Sequence, residues 1–145
     1  MSFEFDASEF FFRLDEIENL LLKTAERSMT DSVEDLARIA SQIAPIDTST
    51  LRKSVKTKVT WKSGKLQGEV WFYAVERSPK YGRFNYALWT HEYMGDSQLG
   101  PLSSGAGGTD GYTVGSKYLE RPLKGESSKY LVEWMAKELR KVLGS

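Results

Sequence analysis

The chain has 145 residues, of which 40% are hydrophobic and 28% charged, with a formal net charge of zero, no cysteine and one histidine. This is about one domain's worth of chain, and we expect a single domain over residues 1–145. The composition excludes a disordered or fibrous protein, and the lack of cysteine excludes disulfide scaffolds and thiolate metal sites. No apolar run approaches the roughly 20 residues of a membrane helix, and the acidic start lacks the features of a secretory signal. We therefore expect a soluble cytoplasmic domain with no membrane partner.

The zero net charge conceals a gradient along the chain. Residues 1–35 contain ten acids and three bases, so they carry a charge of −7 and the rest of the chain carries +7. A solvated acidic helix accounts for this gradient without further meaning. Alternatively, the acidic part of one subunit meets the basic part of the next, and such head-to-tail contacts close into a ring when the rotation allows.

The spacing of apolar residues predicts a long N-terminal helix over residues 7–44. Apolar side chains recur at steps of three and four from Phe10 to Ile43, and Pro45 ends the helix. A break or kink near Thr30 is an alternative. A helix this long in a small domain should extend past the core, so part of its apolar stripe needs a partner.

The middle of the chain predicts strands within residues 55–93. In residues 55–62 a largely apolar set alternates with a polar set, which predicts a half-buried strand of a hairpin. The two sets are Val55, Thr57, Val59 and Trp61, and Lys56, Lys58, Thr60 and Lys62. Residues 85–93 are aromatic on both faces, as is typical of a central strand. Six of the twelve glycines lie in residues 95–111, which predicts a flexible loop that orders on a partner.

An amphipathic pattern after Gly125 predicts a C-terminal helix over residues 126–143. The order of helix, strands and helix predicts an α+β fold. In this fold the two helices pack on a small, mainly antiparallel sheet of three to four strands.

The only histidine, His91, stands beside Glu92. A zinc-protease helix would need a second histidine where the chain has Gly95, and on a strand the two side chains would point to opposite faces. No nucleophile elbow, phosphate loop or cluster of metal ligands is recognisable. We therefore predict no enzymatic activity, no cofactor and no metal. The alternative from another class is a small hydrolase or nuclease using His91 with Glu92, Asp96 or Asp110.

Two groups of residues are candidates for contact with partners. The segment between Asp47 and Glu69 is basic without an acid, so it suits non-specific contact with DNA, or serves as an ordinary solvent face. Five of the seven phenylalanines lie in the first twelve residues, where they pack on a neighbouring subunit or in the protein's own core. The candidate interface residues are Phe3, Phe5, Phe11, Phe12, Glu16, Arg52, Lys56, Lys58, Lys62, Lys65, His91 and Glu92.

Three segments resemble the phage minor capsid, head–tail joining (tail-completion) proteins. They are APIDTSTLRKS at 44–54, close to the family's A-P-x-D-T-G-x-L-R-x-S, then YALWTHE at 86–92 and KYLERPL at 117–123. They occur in the family's order, between a long helix and a C-terminal helix, and the resemblance covers roughly residues 7–143. One departure is Ser49, where the family usually has glycine.

This resemblance implies a structural role without catalytic residues. The protein would form a homo-oligomeric ring, a hexamer or larger, in the neck of a virion assembled in the bacterial cytoplasm. Its partners would be other neck, connector and tail proteins, with DNA passing through the channel. A tail terminator or head-closure protein of the same neck is the alternative.

Overall fold

The computed structural model describes residues 8–46, 50–73, 75–78, 82–85, 91–92 and 107–144. The elements in chain order are α1 (Ser8–Ile43), α2 (Thr50–Lys53), β1 (Val55–Lys62), β2 (Lys65–Phe72), β3 (Val75–Ser78), β4 (Gly82–Asn85), α3 (Glu120–Ser128), a π-helical segment (Lys129–Met135) and α4 (Ala136–Val142). The last three are continuous and are called the C-terminal helix below. The predicted mixed α+β class, with a long helix at its start and another at its end, is confirmed.

Helix α1 is continuous over 36 residues, a length of about 54 Å. It does not break near Thr30, where two hydroxyl groups bond to carbonyls of the preceding helical turn. The Thr30 hydroxyl donates to the Glu26 carbonyl at 2.8 Å, and the Ser32 hydroxyl donates to the Ser28 carbonyl at 2.8 Å.

Strands β1 and β2 form an antiparallel hairpin that packs on α1. Its two-residue turn has positive φ at Ser63 (51°) and Gly64 (75°), the conformation of a type I′ turn. The face of the hairpin that includes Gly68 lies against α1. A Cβ atom at Gly68 would lie 2.5 Å from Val33 Cγ1 and 2.7 Å from Met29 Sδ, so glycine permits this close approach.

Strands β3 and β4 pair with each other in a second antiparallel hairpin. Within the described residues the strands therefore form two separate two-stranded sheets, and the predicted single sheet of three to four strands is not confirmed. The predicted central strand over 85–93 is wrong at His91 and Glu92, whose backbone is helical, and residues 86–90 and 93 lie outside the description.

The core lies at the C-terminal end of α1. Ile43 and Ala44 are fully buried there with Leu51 and Tyr118, and Phe72 packs against them. The aromatic rings of Phe72 and Tyr118 meet edge to face, with their centroids 4.9 Å apart.

The C-terminal helix runs antiparallel to α1, starting near the core. The Tyr130 hydroxyl donates to Asp35 Oδ2 at 2.8 Å, and further along Glu138 pairs with Arg27 at 3.6 Å. Later residues of the C-terminal helix therefore contact earlier residues of α1.

This helix begins at Glu120, six residues before the predicted start. Pro122 lies in its first turn, where a backbone N–H has no intrahelical partner and proline is tolerated. Gly125 is inside the helix rather than before it. A Cβ atom there would lie 1.8 Å from the Tyr112 hydroxyl oxygen, so this glycine marks a close approach and does not mark a helix boundary.

Candidate interaction surfaces and the His91 cluster

The first part of α1, residues 8–22, extends beyond the rest of the described protein and is called the projecting segment below. Every side chain from Phe12 to Leu20 is exposed, whereas Thr24 is buried. Five large apolar side chains of the segment are between 39% and 63% exposed: Phe12, Leu14, Ile17, Leu20 and Leu22. Apolar surface of this extent on one short segment is typical of an interaction site.

The outer face of the β1–β2 hairpin is the face turned away from α1. It consists of Lys56, Lys58, Thr60, Lys62, Lys65, Gln67, Glu69 and Trp71, which alternate with the side chains that face α1. All four lysines are exposed, and within the described residues none of them forms an ion pair. Trp71 is 39% exposed, and Tyr73 just past the strand end is 58% exposed.

Arg52 differs from these lysines because its side chain is half-buried. Its Nε donates to the carbonyl of Ala44 at 2.8 Å, at the C-terminal end of α1. A cation at a helix C-terminus is favourable, while burial lowers the pKa of the guanidinium. Its contact thus joins α2 to α1, which favours a role within the subunit over the predicted role at an interface.

His91 and Glu92 lie next to the core. The His91 ring meets the Tyr118 ring edge to face at 4.9 Å, and its side chain is 16% exposed. Nε2 accepts the backbone N–H of Glu120 at 3.4 Å, so the ring proton lies on Nδ1, which is 2.8 Å from Glu92 Oε1. Both ring nitrogens therefore have partners within the chain.

The charges around His91 form a chain of contacts. Lys117 donates to Glu92, which lowers the pKa of Glu92, and the hydrogen bond with His91 adds to this effect. The same contact raises the pKa of Lys117. A carboxylate beside a histidine is the arrangement that orients a general base, but the His91 nitrogen that would face a substrate accepts the Glu120 amide instead.

The other acids proposed to act with His91 do not join this cluster. Asp96 lies outside the described residues, and Asp110 pairs with Arg38. In the part of the chain that the structure describes, no three His, Asp or Glu side chains come close enough to hold a metal ion.

A polar network between α1, the turn at 109–112 and the C-terminal helix was not predicted from the sequence. Arg38 donates to both carboxylate oxygens of Asp110, at 3.2 and 2.9 Å, and also to Asp35, which accepts the Tyr130 hydroxyl. The Arg38 hydrogen bonds lower the pKa of Asp110 to about 2, and the Thr109 hydroxyl adds to this. Burial, together with the bond to Asp35, raises the pKa of Tyr130. No local spacing links residues 72 positions apart, so no sequence signal could have found this network.

An apolar groove was also not predicted. It has a volume of about 360 Å³ and lies between α1, β2 and the C-terminal helix. Met29, Val33 and Leu36 form its floor, and Leu123 and Leu131, about half exposed, stand at its rim.

Several predicted interface residues cannot be placed. Phe3 and Phe5 lie outside the described residues, as does the side chain of Phe11. Glu16 is exposed on the projecting segment, near Phe12. The predicted loop over 95–111 is described only from residue 107, where Thr109 and Tyr112 bridge across a turn. The projecting segment and the outer face of the hairpin thus carry most of the predicted interface residues that the structure describes, while Arg52, His91 and Glu92 lie near the core.

A scan against models of protein families found no match, and searches of curated proteins and of solved structures returned no relative of this chain. Among the described residues, no helix is long and apolar enough to cross a membrane.

Proposed function

We propose that this protein is a structural subunit of a tailed-phage virion, a head–tail joining protein that assembles as a homo-oligomeric ring in the neck. The proposal starts from the three segments that resemble that family and from their order between two helices. It includes the location in the virion, with assembly in the host cytoplasm, and contacts with other neck, connector and tail proteins.

The observation that carries the assembly role is the projecting segment. Five of its apolar side chains are 39% to 63% exposed, and two of them, Leu14 and Ile17, belong to the apolar repeat that is buried further along α1. Burial against another subunit would remove this surface from water, at about 25 cal/mol for each Å². A helix that extends beyond its own domain reaches a neighbour without any rearrangement of the core.

The positions of the motif segments also support a structural role. Ala44 and Leu51 of the first segment pack against Tyr118 of the third in the core. The Ser41 hydroxyl donates to the Arg52 carbonyl, which ties the first segment to α1. These residues pack where α1, α2 and the start of α3 meet. Packing therefore accounts for the residue types at these motif positions, and no catalytic role is needed to explain them.

We further propose that the protein has no enzymatic activity and needs no cofactor. The support is the position of His91, whose two ring nitrogens contact Glu92 and the amide of Glu120. The proposal keeps the predicted single sheet of three to four strands, which β3 and β4 would complete beside β1 and β2.

The proposal is tested in the phage that encodes the protein. Deleting its gene should leave DNA-filled heads and separate tails in electron micrographs of the lysate, and supplying the gene in trans should restore joined particles. Complete, infectious particles from the deletion strain would refute the neck assignment. A deletion strain whose assembly stops before DNA packaging, with empty heads, would also refute the neck assignment.

The purified protein provides a second test, of ring formation. Light scattering over a range of protein concentrations should show a species of six or more subunits, and negative-stain images should show rings. Replacing Ile17 and Leu14 by serine should lower the mass toward that of a monomer while the helical circular dichroism remains. A monomer at every concentration would contradict self-assembly of the isolated chain.

A further inference from the structure

We propose, building on the assembly role above, that the outer face of the β1–β2 hairpin is the docking surface for the projecting segment of a second copy of this chain. The projecting segment and this face are two different surfaces of one subunit. We infer a head-to-tail arrangement, in which the segment of each subunit docks on the hairpin of the next, because such heterologous contacts propagate from subunit to subunit and close into rings.

The two surfaces carry opposite charge. The projecting segment contains four acids and one arginine, a net charge of −3. The outer face contains four lysines and one glutamate, a net charge of +3. Complementary potentials of this kind steer two surfaces together and fix their register.

The surfaces also match in length and in apolar character. Fifteen helical residues extend about 22 Å, and strands of eight residues extend about 27 Å, so the segment can lie along the hairpin. The outer face includes the half-exposed Trp71, and Tyr73 continues it. On the segment, Asp15, Glu18 and Leu22 share one helix face because they are three and seven residues apart. In the docked arrangement the two carboxylates of the segment would contact lysines of the outer face, and Leu22 would contact the ring of Trp71.

The docking would complete a layered arrangement. One face of the hairpin already packs on α1, and a helix on the other face would cover both sides of the two strands, as in folds with helices on each side of a sheet. A two-stranded hairpin needs a helix or further strands against it to be stable in water, and α1 already supplies one such helix. A second helix on the outer face would add to this stability by removing Trp71 from water.

Nucleic acid is the other partner that four lysines would suit, but the observations favour a second copy. Duplex DNA keeps its bases stacked inside, so it would use the lysines through its phosphates and leave the two exposed aromatic rings without a partner, whereas an amphipathic helix would cover both. The chain as a whole is neutral, and its own acidic segment offers the matching surface.

The test uses two full-length charge-reversal variants. The first carries Asp15→Lys and Glu18→Lys on the projecting segment. The second carries Lys56→Glu and Lys62→Glu on the hairpin. These two lysines are chosen because they face Trp71 and Lys65 across the strands, whereas Lys58 faces Glu69, where a second acid would weaken the hairpin.

Each variant alone brings like charges together and should weaken self-association roughly tenfold or more in sedimentation velocity. An equimolar mixture of the two should assemble as wild type does, because each surface then meets one of opposite charge. Circular dichroism and the urea midpoint of each variant establish that it is folded. A matched control for the hairpin variant, Lys124→Glu with Lys137→Glu on the C-terminal helix, makes the same change in net charge, −4, and should assemble normally.

The outcomes separate this inference from the proposed function. If wild type forms rings and both variants do so with unchanged affinity, the docking surface is wrong while the assembly role stands. If each variant fails alone and the mixture fails too, the pairing of these surfaces is also refuted. If wild type is monomeric at every concentration, self-assembly itself fails. Loss of binding to a fluorescent DNA duplex in the hairpin variant, with ring formation intact, would assign the face to nucleic acid and overturn the inference.

Discussion

The two halves of α1 follow the same apolar repeat, yet they have opposite environments. In the second half Ile39, Ala40 and Ile43 are fully buried under the hairpin and the C-terminal helix. In the first half Leu14 and Ile17, which belong to the same repeat, are 45% and 39% exposed. Apolar periodicity thus indicates which face of a helix will be buried. What buries that face depends on which elements reach that part of the helix.

The largest expected effect comes from the buried half. Replacing Ile39 by alanine removes most of a fully buried side chain from the packed face of α1. This should lower the free energy of unfolding by about 2–5 kcal/mol. Urea unfolding followed by circular dichroism measures this. A cost below about 1 kcal/mol would mean that the two halves of α1 are not as different as their burial indicates.

The next effect tests how closely the hairpin packs on the buried half. Gly68→Ala places a methyl group 2.5 Å from Val33 Cγ1, so the hairpin must move away from α1, and the fold should lose about 1–3 kcal/mol. Gly107→Ala is the matched control, because nothing lies within 4 Å of the added atom. Equal unfolding midpoints for the two variants would show that the hairpin adjusts without cost.

A smaller effect, which depends on pH, tests the network around Arg38. Because Arg38 lowers the pKa of Asp110 to about 2 from 3.8, the contact stabilises the fold above pH 4 and this contribution is lost as the pH falls through 2. Asp110→Asn should therefore lower stability by about 1 kcal/mol at pH 6. The difference from wild type should shrink between pH 4 and pH 2. A difference that is constant over this range would show that the charge of Asp110 is not the cause.

The smallest effect on stability is expected in the projecting half. Ile17→Ala should change the free energy of unfolding of the monomer by no more than about 0.5 kcal/mol, because the side chain is exposed and alanine favours helix. The same substitution should weaken self-association in sedimentation velocity. If the free energy of unfolding of the dilute monomer fell by about 2 kcal/mol, this half of α1 would have an intramolecular partner, and the contrast between the two halves would be wrong.

At His91 and Gly125, contacts with distant residues overturn what the local sequence pattern predicts. Aromatic residues around His91 favoured a strand, but contacts with Tyr118 and Glu120, almost thirty residues later, accompany a helical backbone at His91 and Glu92. Gly125 looked like the start of a helix because glycine is unfavourable inside one. Its close approach to Tyr112 gives it a packing role within the helix instead.

Local sequence patterns predicted the local features of this protein: the long α1, the β1–β2 hairpin, the mixed α+β class and a lysine-rich face on the hairpin. These follow from periodicity and turn chemistry, which act over a few residues. That α1 extends past the core was expected from its length, but only the tertiary structure shows which part of it stays exposed. It also shows that Arg52 bonds to the end of α1, that Arg38 joins Asp110 to Asp35, and that a groove opens beside β2. Each of these depends on contacts between distant parts of the chain, and such contacts leave no trace in local spacing.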